Sequence, residues 1–432
     1  MKILVLNCGS SSIKYQLFDI ESKEVIAKGG IEKIGLEGSF IKFTLPNGEK
    51  ETITTAIPEH TIGVRLIFDV LTSEKYGAVK SIEEIDAVGH RMVHGGEKFS
   101  QSTLLTDEVL EVFEACNDLA PLHNPANLKG VNAVKEVAPD MPQVGVFDTA
   151  FHQTMPDYAY MYAVPYELYE KYGVRRYGFH GTSHRYITKR ALEMLGIPAE
   201  GSKIITCHIG NGGSCAAVKD GKSIDTSMGL TPLAGLMMGT RSGDIDPGAI
   251  PFIMDKMGLD AHGLSDLLNK KSGVAGISGV SSDMREVKAA AEAGNKRAEL
   301  SNTMYFYRIK KYIGAYAAAM GGVDIIIFAG GVGENQADCR ETVLEGLEFL
   351  GVELDKEVNA KMRGEEAVQA ISYFLDDAVV CNVHSLRVLH GTGNGILRTL
   401  VRQYLSNQPF VTHFHDEHVQ FGGAGITVVE LE

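Results

Sequence analysis

Basic residues are in short supply. Lys and Arg number 41 against 55 Asp and Glu, a net charge of −14 over 432 residues. Binding nucleic acid or a membrane surface in general needs a basic face. The chain as a whole is excluded from that role, although a local basic pocket is not. Cysteines are few: six, at 8, 116, 207, 215, 339 and 381, with no CxxC pair. A chain this long needs no disulfide staples, so they read as reduced thiols of a cytoplasmic protein. Long apolar runs are missing too. The most apolar stretch, AYAAAMGGVDIIIFAG at 315–330, is short and carries Asp324, so it cannot span a bilayer. Only four consecutive apolar residues follow Lys2, too few for a signal-peptide core. No low-complexity linker is visible. The whole chain, 44% hydrophobic and 22% charged, is an ordinary globular mixture with room for two or three domains.

Glycine is what the chain has in quantity, 48 residues, and much of it lies in turns that leave strands. Ile3 to Leu6 reads as a buried strand, Asn7-Cys8-Gly9-Ser10-Ser11-Ser12 as a polar turn, and Ile13 to Ile20 as a returning strand. Residues 204–226 repeat the plan. Ile204 to Cys207 is a strand, His208-Ile209-Gly210-Asn211-Gly212-Gly213-Ser214 a turn, Ala216 to Val218 the return, and Ser223 to Thr226 a third strand. The repetition suggests a duplicated domain. A third strand, 323–329, runs into Gly330-Gly331-Val332-Gly333-Glu334-Asn335, with a helix to about 350. Helical periodicity marks 61–76, 106–119, 124–137, 182–195, 283–293 and 297–320. Strands alternating with helices mean an α/β architecture. A domain break is expected near 150, before Phe151-His152-Gln153.

Each turn has a plain structural reading as well as a chemical one. NCGSSSIK is either an ordinary hairpin or a turn that wraps phosphate oxygens, with Lys14 adding charge. None of the three fits GxGxxG or GxxxxGK[ST]; together they suggest a nucleotide in a cleft between duplicated halves. Arg91, at a strand end before Gly95-Gly96, can grip a carboxylate or phosphate, or simply form a surface ion pair. Arg241, in Gly239-Thr240-Arg241-Ser242-Gly243, reads as a flexible arginine able to reach a transferring phosphoryl group. Asp148 ends the strand VGVFD, where a metal-linked or proton-handling carboxylate and a helix N-cap are equal alternatives. In YGFHGTSH, His180 or His184 offers a polar hand, and one of them can instead cap the helix near Thr182. Neighbours for metal ligation by this pair are missing.

The motifs VLNCGSSSIK, GHRMVHGG, LAPLHNPAN, VFDTAFH, YGFHGTSH, HIGNGGS, MGTRSGDIDPG, SSDMRE and GGVGEN stand in this order. In that order they resemble the acetate kinase family, of the actin-like ATPase superfamily that includes sugar kinases. The resemblance runs from residue 1 to about 365. It implies a duplicated actin-like fold with domains at 1–150 and 151–365, and transfer of phosphoryl from ATP to acetate with Mg²⁺, giving ADP and acetyl phosphate. Carried over residue by residue, Asn7 helps hold Mg²⁺, while Ser10, Ser12 and Lys14 lie along the phosphates. Arg91 binds the acetate carboxylate, Asp148 is the essential carboxylate, and His180 and Arg241 stabilise the transferring group. His208, Ile209, Gly210, Asn211 and Gly212 contact nucleotide phosphates. Asp283, Met284 and Arg285, with Gly331, Val332, Gly333, Glu334 and Asn335, form the adenosine pocket. Val93, Leu122, Phe179 and Pro232 line the acyl pocket, and propionate-preferring relatives tend to have a smaller residue at the Val93 position. A homodimer without membrane attachment is expected.

The family ends with a Thr-Asn-Glu-Glu turn in which one Glu is a Mg²⁺-linked carboxylate. Here Cys381-Asn382-Val383-His384-Ser385-Leu386 stands at that place. From 366 to 432 the chain instead resembles a truncated small MutS-related (Smr) domain, through LRVLHGTGNGILRTLVRQYLSNQPFV at 386–411 and FGGAGITVVELE at 421–432. The loop His390-Gly391-Thr392-Gly393-Asn394-Gly395 is either a strand-to-helix turn or a nucleic-acid contact. Arg387, Arg398 and Arg402 are the tail's strong cations, so any phosphate affinity of 386–432 is expected to be weak.

Overall fold

The computed structural model describes residues 1–362 apart from 23, 46, 47 and 122, together with 385–389, 405, 411–416 and 426–431. The chain divides into two compact units, one of Met1–Gln153 with Met161–Thr182, the other of Thr154–Tyr160 with Ser183–Glu432. The first unit is built on β1 (Lys2–Cys8), β2 (Ser12–Asp19), β3 (Glu24–Glu32), β4 (Phe40–Thr44), β5 (Lys50–Thr54), β6 (Ala87–Met92), β7 (Thr103–Leu104) and β8 (Gln143–Phe147). They form one sheet in the order β5-β4-β3-β2-β1-β6-β8-β7. The second unit carries β9 (Lys203–Ile209), β10 (Gly213–Lys219), β11 (Lys222–Thr226) and β12 (Ile325–Ala329) in the order β11-β10-β9-β12. Its last residues form a separate sheet of β13 (Ser385–Leu389), β14 (Val411–Asp416) and β15 (Ile426–Leu431), ordered β13-β15-β14.

The duplication is visible in the strand order. In the first unit β3, β2 and β1 are consecutive antiparallel neighbours, and β1 pairs in parallel with β6. In the second, β11, β10 and β9 are antiparallel neighbours, and β9 pairs in parallel with β12. Each small-residue turn thus sits at the carboxyl end of a strand with a parallel neighbour, the usual place for a ligand in such sheets. The first two strand-end turns are shorter than expected, because the ladders run further in: β1 continues through Cys8 and β2 starts at Ser12, leaving Gly9–Ser11, and β9 continues through Ile209 and β10 starts at Gly213, leaving Gly210–Gly212. In the third the helix starts at once, at Gly330, and the expected helix to 350 is two short ones, Gly330–Asn335 and Ala337–Leu344. They break at Gln336, and Arg340 Nη1 caps the carbonyls of Gly333 and Glu334 at 2.8 Å each.

Alternation along β1 and β2 buries Leu4, Leu6, Ile13 and Leu17 completely, against Val64, Ile67 and Phe68 of the helix His60–Thr72. The helix Asn124–Val137 adds Ala133 and Val134. In the second unit, Ile205, Cys207, Cys215 and Ala217 pack on Tyr305, Ile309 and Ile313 of the helix Lys296–Met320. The chain does not simply change units near 150, because Met161–Thr182 returns to the first. That segment buries Arg175, whose Nη1 donates to Glu97 Oε1 at 2.5 Å, and Tyr177, which lies under the Arg175 guanidinium. Among the described residues, no helix is long and apolar enough to cross a membrane.

Gly130 lies inside the helix Asn124–Val137, where Ala would ordinarily be preferred by about 1 kcal/mol. A Cβ there would meet Cys8 Sγ at 2.4 Å and Cys8 Cβ at 3.0 Å. Overpacking of this kind costs roughly 1–3 kcal/mol. Gly130→Ala should therefore lower stability in chemical denaturation, and adding Cys8→Ala should restore most of the loss. Additive losses in the double variant would show that the close approach does not limit the packing.

Candidate active site

In the first unit the site is made by register. The parallel pairing of β6 and β8 sets Arg91 beside Val146 and Met92 beside Phe147, and the Asp148 N–H donates to the Met92 carbonyl at 2.9 Å. Arg91 and Asp148, 57 residues apart, therefore leave adjacent strand ends together. Arg91 Nε donates to Asp148 Oδ1 and Oδ2 at 3.2 and 3.1 Å, and Nη2 to Oδ2 at 2.6 Å. Asp148 is 2% exposed and Arg91 40%, so the arginine stands between a buried carboxylate and open space. The carboxylate's charge raises the Arg91 pKa above its ordinary value. Asp148 is thus partnered by an arginine, neither a helix cap nor a surface ion pair. Arg91 spends one edge on Asp148, and its Nη1 side is available for a second planar anion.

Around this pair, buried polar side chains fix the backbone. Asn127 Oδ1 accepts the Val93 N–H at 2.9 Å and its Nδ2 donates to the Cys8 carbonyl at 3.1 Å. Asn124 Oδ1 accepts the His94 N–H at 3.1 Å, and Thr149 Oγ1 accepts the Gly95 N–H at 3.1 Å. These positioning roles are not apparent from sequence; the signal that could have shown them is two Asn at i and i+3 opening a helix. The Gly96 N–H donates to His94 Nδ1 at 3.1 Å, so that nitrogen carries no proton. Val93 and Phe179 are buried, and Phe179 lies edge-on to His94 at 5.4 Å. Leu122 lies outside the described residues.

His180 is held in a costly backbone conformation. Its φ is +55°, a region that non-glycine residues rarely enter. Both flanks are pinned: His152 Nε2 donates to the Phe179 carbonyl at 3.0 Å, and the Gly181 N–H donates to the Asp148 carbonyl at 2.8 Å. A Cβ on Gly181 would sit 2.2 Å from that carbonyl oxygen, so only glycine permits the approach. His180 and Asp148 are thereby tied through the backbone. His184 is different: it is fully buried, with Nδ1 on Thr206 Oγ1 at 2.7 Å and Nε2 on Ser214 Oγ at 2.8 Å. It joins β9 to β10 and is structural.

The first turn follows the register of β1 and β2. Asn7 faces Lys14 directly across the pair, while Cys8 and Ile13 face the core. Ser12, two residues before Lys14, shares the face of Asn7 and Lys14, and Ser10 is exposed in the turn. His60 Nε2 donates to the Gly9 carbonyl at 2.8 Å and holds the turn from behind.

In the second unit the turn His208–Gly212, the loop around Arg241 and the start of the helix Gly330–Asn335 converge. Ser183 Oγ and His208 Nδ1 are 2.8 Å apart. The Gly239 N–H donates to the Asn211 carbonyl at 2.9 Å. Gly330, at φ +79°, approaches the Ile209 carbonyl so closely that a Cβ would lie 2.8 Å away. The expectation that Arg241 is flexible is corrected here. Its loop is locked by Met238 N–H to the Arg241 carbonyl at 3.1 Å, Ser272 N–H to Thr240 O at 3.0 Å and Ala275 N–H to Gly239 O at 2.9 Å. The flanking glycines serve close packing: a Cβ on Gly239 would meet Asn211 Oδ1 at 2.0 Å. Arg241 Nη1 itself donates to the carbonyl of Pro232, which is half-buried, at 3.3 Å.

Asp283 caps the helix Met284–Glu292 through the Arg285 N–H at 2.9 Å. It also pairs with the Arg285 guanidinium at 2.6 Å, and hydrogen bonds from Arg285 hold its carboxyl at about 2. Met284 is buried, and Glu334 Oε1 accepts the Gly330 N–H at 3.2 Å. Lys288 of the helix Met284–Glu292 pairs with Asp338 of the helix Ala337–Leu344, which follows the one carrying Glu334, at 2.9 Å. Among the described residues, no three His, Cys, Asp or Glu side chains form a ready cage for a metal ion. A Mg²⁺ ion arriving on nucleotide phosphates needs only one or two protein oxygens, and the Asn7 amide is a donor of that kind, whereas both oxygens of Asp148 are taken by Arg91.

The repeated strand order places the chain in the duplicated α/β class of the actin-like ATPases and sugar kinases. The chain belongs to the Acetokinase family, whose sequence profile matches residues 2–383; the Smr domain profile matches 360–432. The acetate kinase of Bacteroides thetaiotaomicron is 74% identical over 368 residues, 85% of this chain and 92% of that protein. That of Bacteroides fragilis is 72% identical over the same shares. The Porphyromonas gingivalis acetate kinase structure superposes with a TM-score of 0.82 at 61% identity, covering 84% of this chain and 91% of that one. A propionate kinase from Francisella tularensis gives 0.79 at 41% identity, with 84% and 93% covered.

Burial holds His90 and His152 down to about 4. The unfolded chain protonates them near 6.5, so it binds more protons than the folded one below that pH. Stability contributed by keeping them neutral is complete above about 6.5 and is lost as pH falls towards 4, on the order of 3 kcal/mol for each. Urea midpoints should drop over that window, and His152→Gln, which keeps a donor for Phe179, should flatten the profile. An unchanged slope in that variant would remove His152 from the account.

Proposed function

We propose that this chain catalyses Mg²⁺-dependent, reversible phosphoryl transfer from ATP to acetate, giving ADP and acetyl phosphate. The observation that carries this reading is the arginine held by a buried aspartate, Arg91 on Asp148, in a chain 74% identical to an acetate kinase. An acetate carboxylate meets the Nη1 side of Arg91 with one oxygen and presents the other to the γ-phosphorus. The new O–P bond forms as the bond from the γ-phosphorus to the β-γ bridging oxygen breaks, and ADP leaves with that electron pair. Little covalent chemistry is asked of the protein; placement and cations do most of it.

Asp148 keeps Arg91 aimed and limits the net charge beside the substrate. His180 and Arg241 are assigned to the equatorial oxygens of the transferring group, where preorganised donors act most strongly. Their fixed backbones suit that task, because no reorganisation is needed as charge develops. Ser10, Ser12 and Lys14, with the turn His208–Gly212, are assigned to the phosphates. Asp283 to Arg285 and Gly331 to Asn335 are assigned to adenosine. When bound, Mg²⁺ neutralises charge on the phosphates, and the Asn7 amide would supply a protein oxygen to it. Val93 and Phe179, with Leu122 and Pro232, are assigned to the methyl group, which favours acetate over propionate. A cytoplasmic homodimer is the assembly we infer, and the parts 1–150, 151–365 and 366–432 are the division we propose.

Arg91→Ala and Arg241→Ala should each lower turnover on the order of 10²-fold in an acetate, ATP and hydroxylamine assay. The Arg91 change should also raise KM for acetate. Unchanged kinetics in both would refute the assignment. A second reading, an impaired kinase body carrying a nucleic-acid-binding tail, is favoured by the Smr match at 360–432 and by Cys381-Asn382-Val383-His384 at the place of the family's Thr-Asn-Glu-Glu turn. Residues 381–384 lie outside the described residues. A lost metal-linked carboxylate costs several kcal/mol of transition-state stabilisation. Replacing 366–432 by a family C-terminus should therefore raise turnover markedly, and equal turnover before and after would make the turn irrelevant.

A further inference from the structure

The motif Met238-Gly239-Thr240-Arg241-Ser242-Gly243-Asp244 ends in a carboxylate to which the reaction as described gives no task. Asp244 is exposed, so it does not serve the core by filling it. Its Oδ1 accepts the Gly235 N–H at 2.7 Å, and its own N–H donates to the Gly235 carbonyl at 2.9 Å. Two bonds of opposite sense thus close the loop 235–244 at its base, and Arg241 stands three residues inside the closure. Gly243, at φ +67°, makes it possible. A Cβ there would meet the carbonyl oxygens of Leu236 and Gly235 at 2.3 and 2.5 Å.

The second carboxylate oxygen reaches outside the loop. Tyr312 Oη donates to Asp244 Oδ2 at 2.5 Å. Tyr312 lies on the helix Lys296–Met320, with its ring 5.6 Å from that of the buried Tyr316. The loop base is therefore fastened to the helix that packs on β9 and β10. A carboxylate suits the place, because it accepts on both oxygens, and bonds to an ionised acceptor are stronger than neutral ones. The guanidinium is controlled from the same base. Arg241 Nη1 rests on the carbonyl of Pro232, three residues before Gly235. The root of the side chain and the group that holds its tip both depend on where Gly235 and Asp244 meet.

We propose that Asp244, braced by Tyr312, is the positioning residue for Arg241 in phosphoryl transfer. The proposal rests on the assignment of Arg241 to the transferring group. Asp244 acts through that arginine and not on the substrates. Misplacing a group at the reacting centre by about 1 Å can cost on the order of 10²-fold in rate, and a loop open at its base no longer holds Arg241 to that tolerance.

The test assays the full chain with acetate, ATP and hydroxylamine, and measures a urea midpoint for every variant. Asp244→Ala should lower kcat on the order of 10-fold with KM for acetate unchanged, since a transition-state contact is weakened and not a ground-state one. Tyr312→Phe, which removes only the hydroxyl, should lower kcat by a smaller factor. Asp244→Asn can still accept from Gly235 and can donate to the Tyr312 oxygen, so it should keep most of the turnover. A loss in Asp244→Asn as large as in Asp244→Ala would mean that the charge itself is used, and overturns the positioning role. In an Arg241→Ala background neither Asp244→Ala nor Tyr312→Phe should lower kcat further. Losses that multiply with Arg241→Ala overturn the proposal and leave the role of Arg241 standing. Unchanged turnover in Arg241→Ala removes that role and the proposal with it. A lowered urea midpoint with kcat unchanged in both single variants assigns Asp244 to stability alone and also overturns it. If Asp244→Ala does not fold, the cycle of Tyr312→Phe with Arg241→Ala decides.

Discussion

A carboxylate at 2% exposure is tolerable only beside a partner that neutralises it and fills its hydrogen bonds. Asp148 has that partner in Arg91, and the surrounding architecture serves the contact. Parallel pairing of β6 and β8 brings the two strand ends level. Asn124, Asn127 and Thr149 collect the backbone N–H groups left where β6 gives way to the turn. The carbonyl of Asp148 then fixes Gly181 and, through it, His180. Removing Asp148 would leave Arg91 without its guide, and removing Arg91 would leave a buried charge uncompensated. Structural and chemical roles coincide in this pair, so neither residue is replaceable by a neutral one of similar size.

Glycine does the same work in the two units. At Gly181, Gly239 and Gly330 the missing side chain admits a neighbouring backbone or amide oxygen closer than any Cβ would allow. These glycines make the site rigid. A preorganised site loses little on reaching the transition state, so the strain at His180 and the locked loop of Arg241 are consistent with phosphoryl transfer by positioning.

The turns after β1 and β9 were legible because the short strand runs Ile3–Leu6 and Ile204–Cys207 give way at once to small polar residues, and because Ile13 to Ile20 alternates on the return. Strands β3 to β5 were not, since only part of each faces the core and β5, Lys50–Thr54, buries nothing fully. Arg91 and Asp148 could be picked out singly as strand-end charges. Their pairing could not, because it depends on register between segments 57 residues apart. The loop around Arg241 was misread as flexible because glycine composition does not distinguish freedom from close approach. Asn124 and Asn127 passed unnoticed because the need for a buried amide arises only once the fold has stranded the N–H groups it satisfies.

The kinase body secures its own last described helix, Lys356–Lys361, before the tail begins. Arg340 donates from Nε to Asn359 Oδ1 at 2.7 Å and from Nη2 to the carbonyls of Asn359 and Met362 at 2.9 and 3.1 Å. Asn359 Nδ2 returns a bond to the Ala337 carbonyl at 2.8 Å. The same Arg340 caps the helix Gly330–Asn335. The chain is therefore anchored through Met362 by residues of the kinase body itself, before the interval 360–383 in which the two family profiles overlap has run its course. Nothing in that anchor draws on residues of the family's missing turn. These bonds all lie within residues 333–362, so exchange of residues from 366 onward takes away none of them, and the first group the family's own ending would contribute to the reaction is the metal-linked carboxylate.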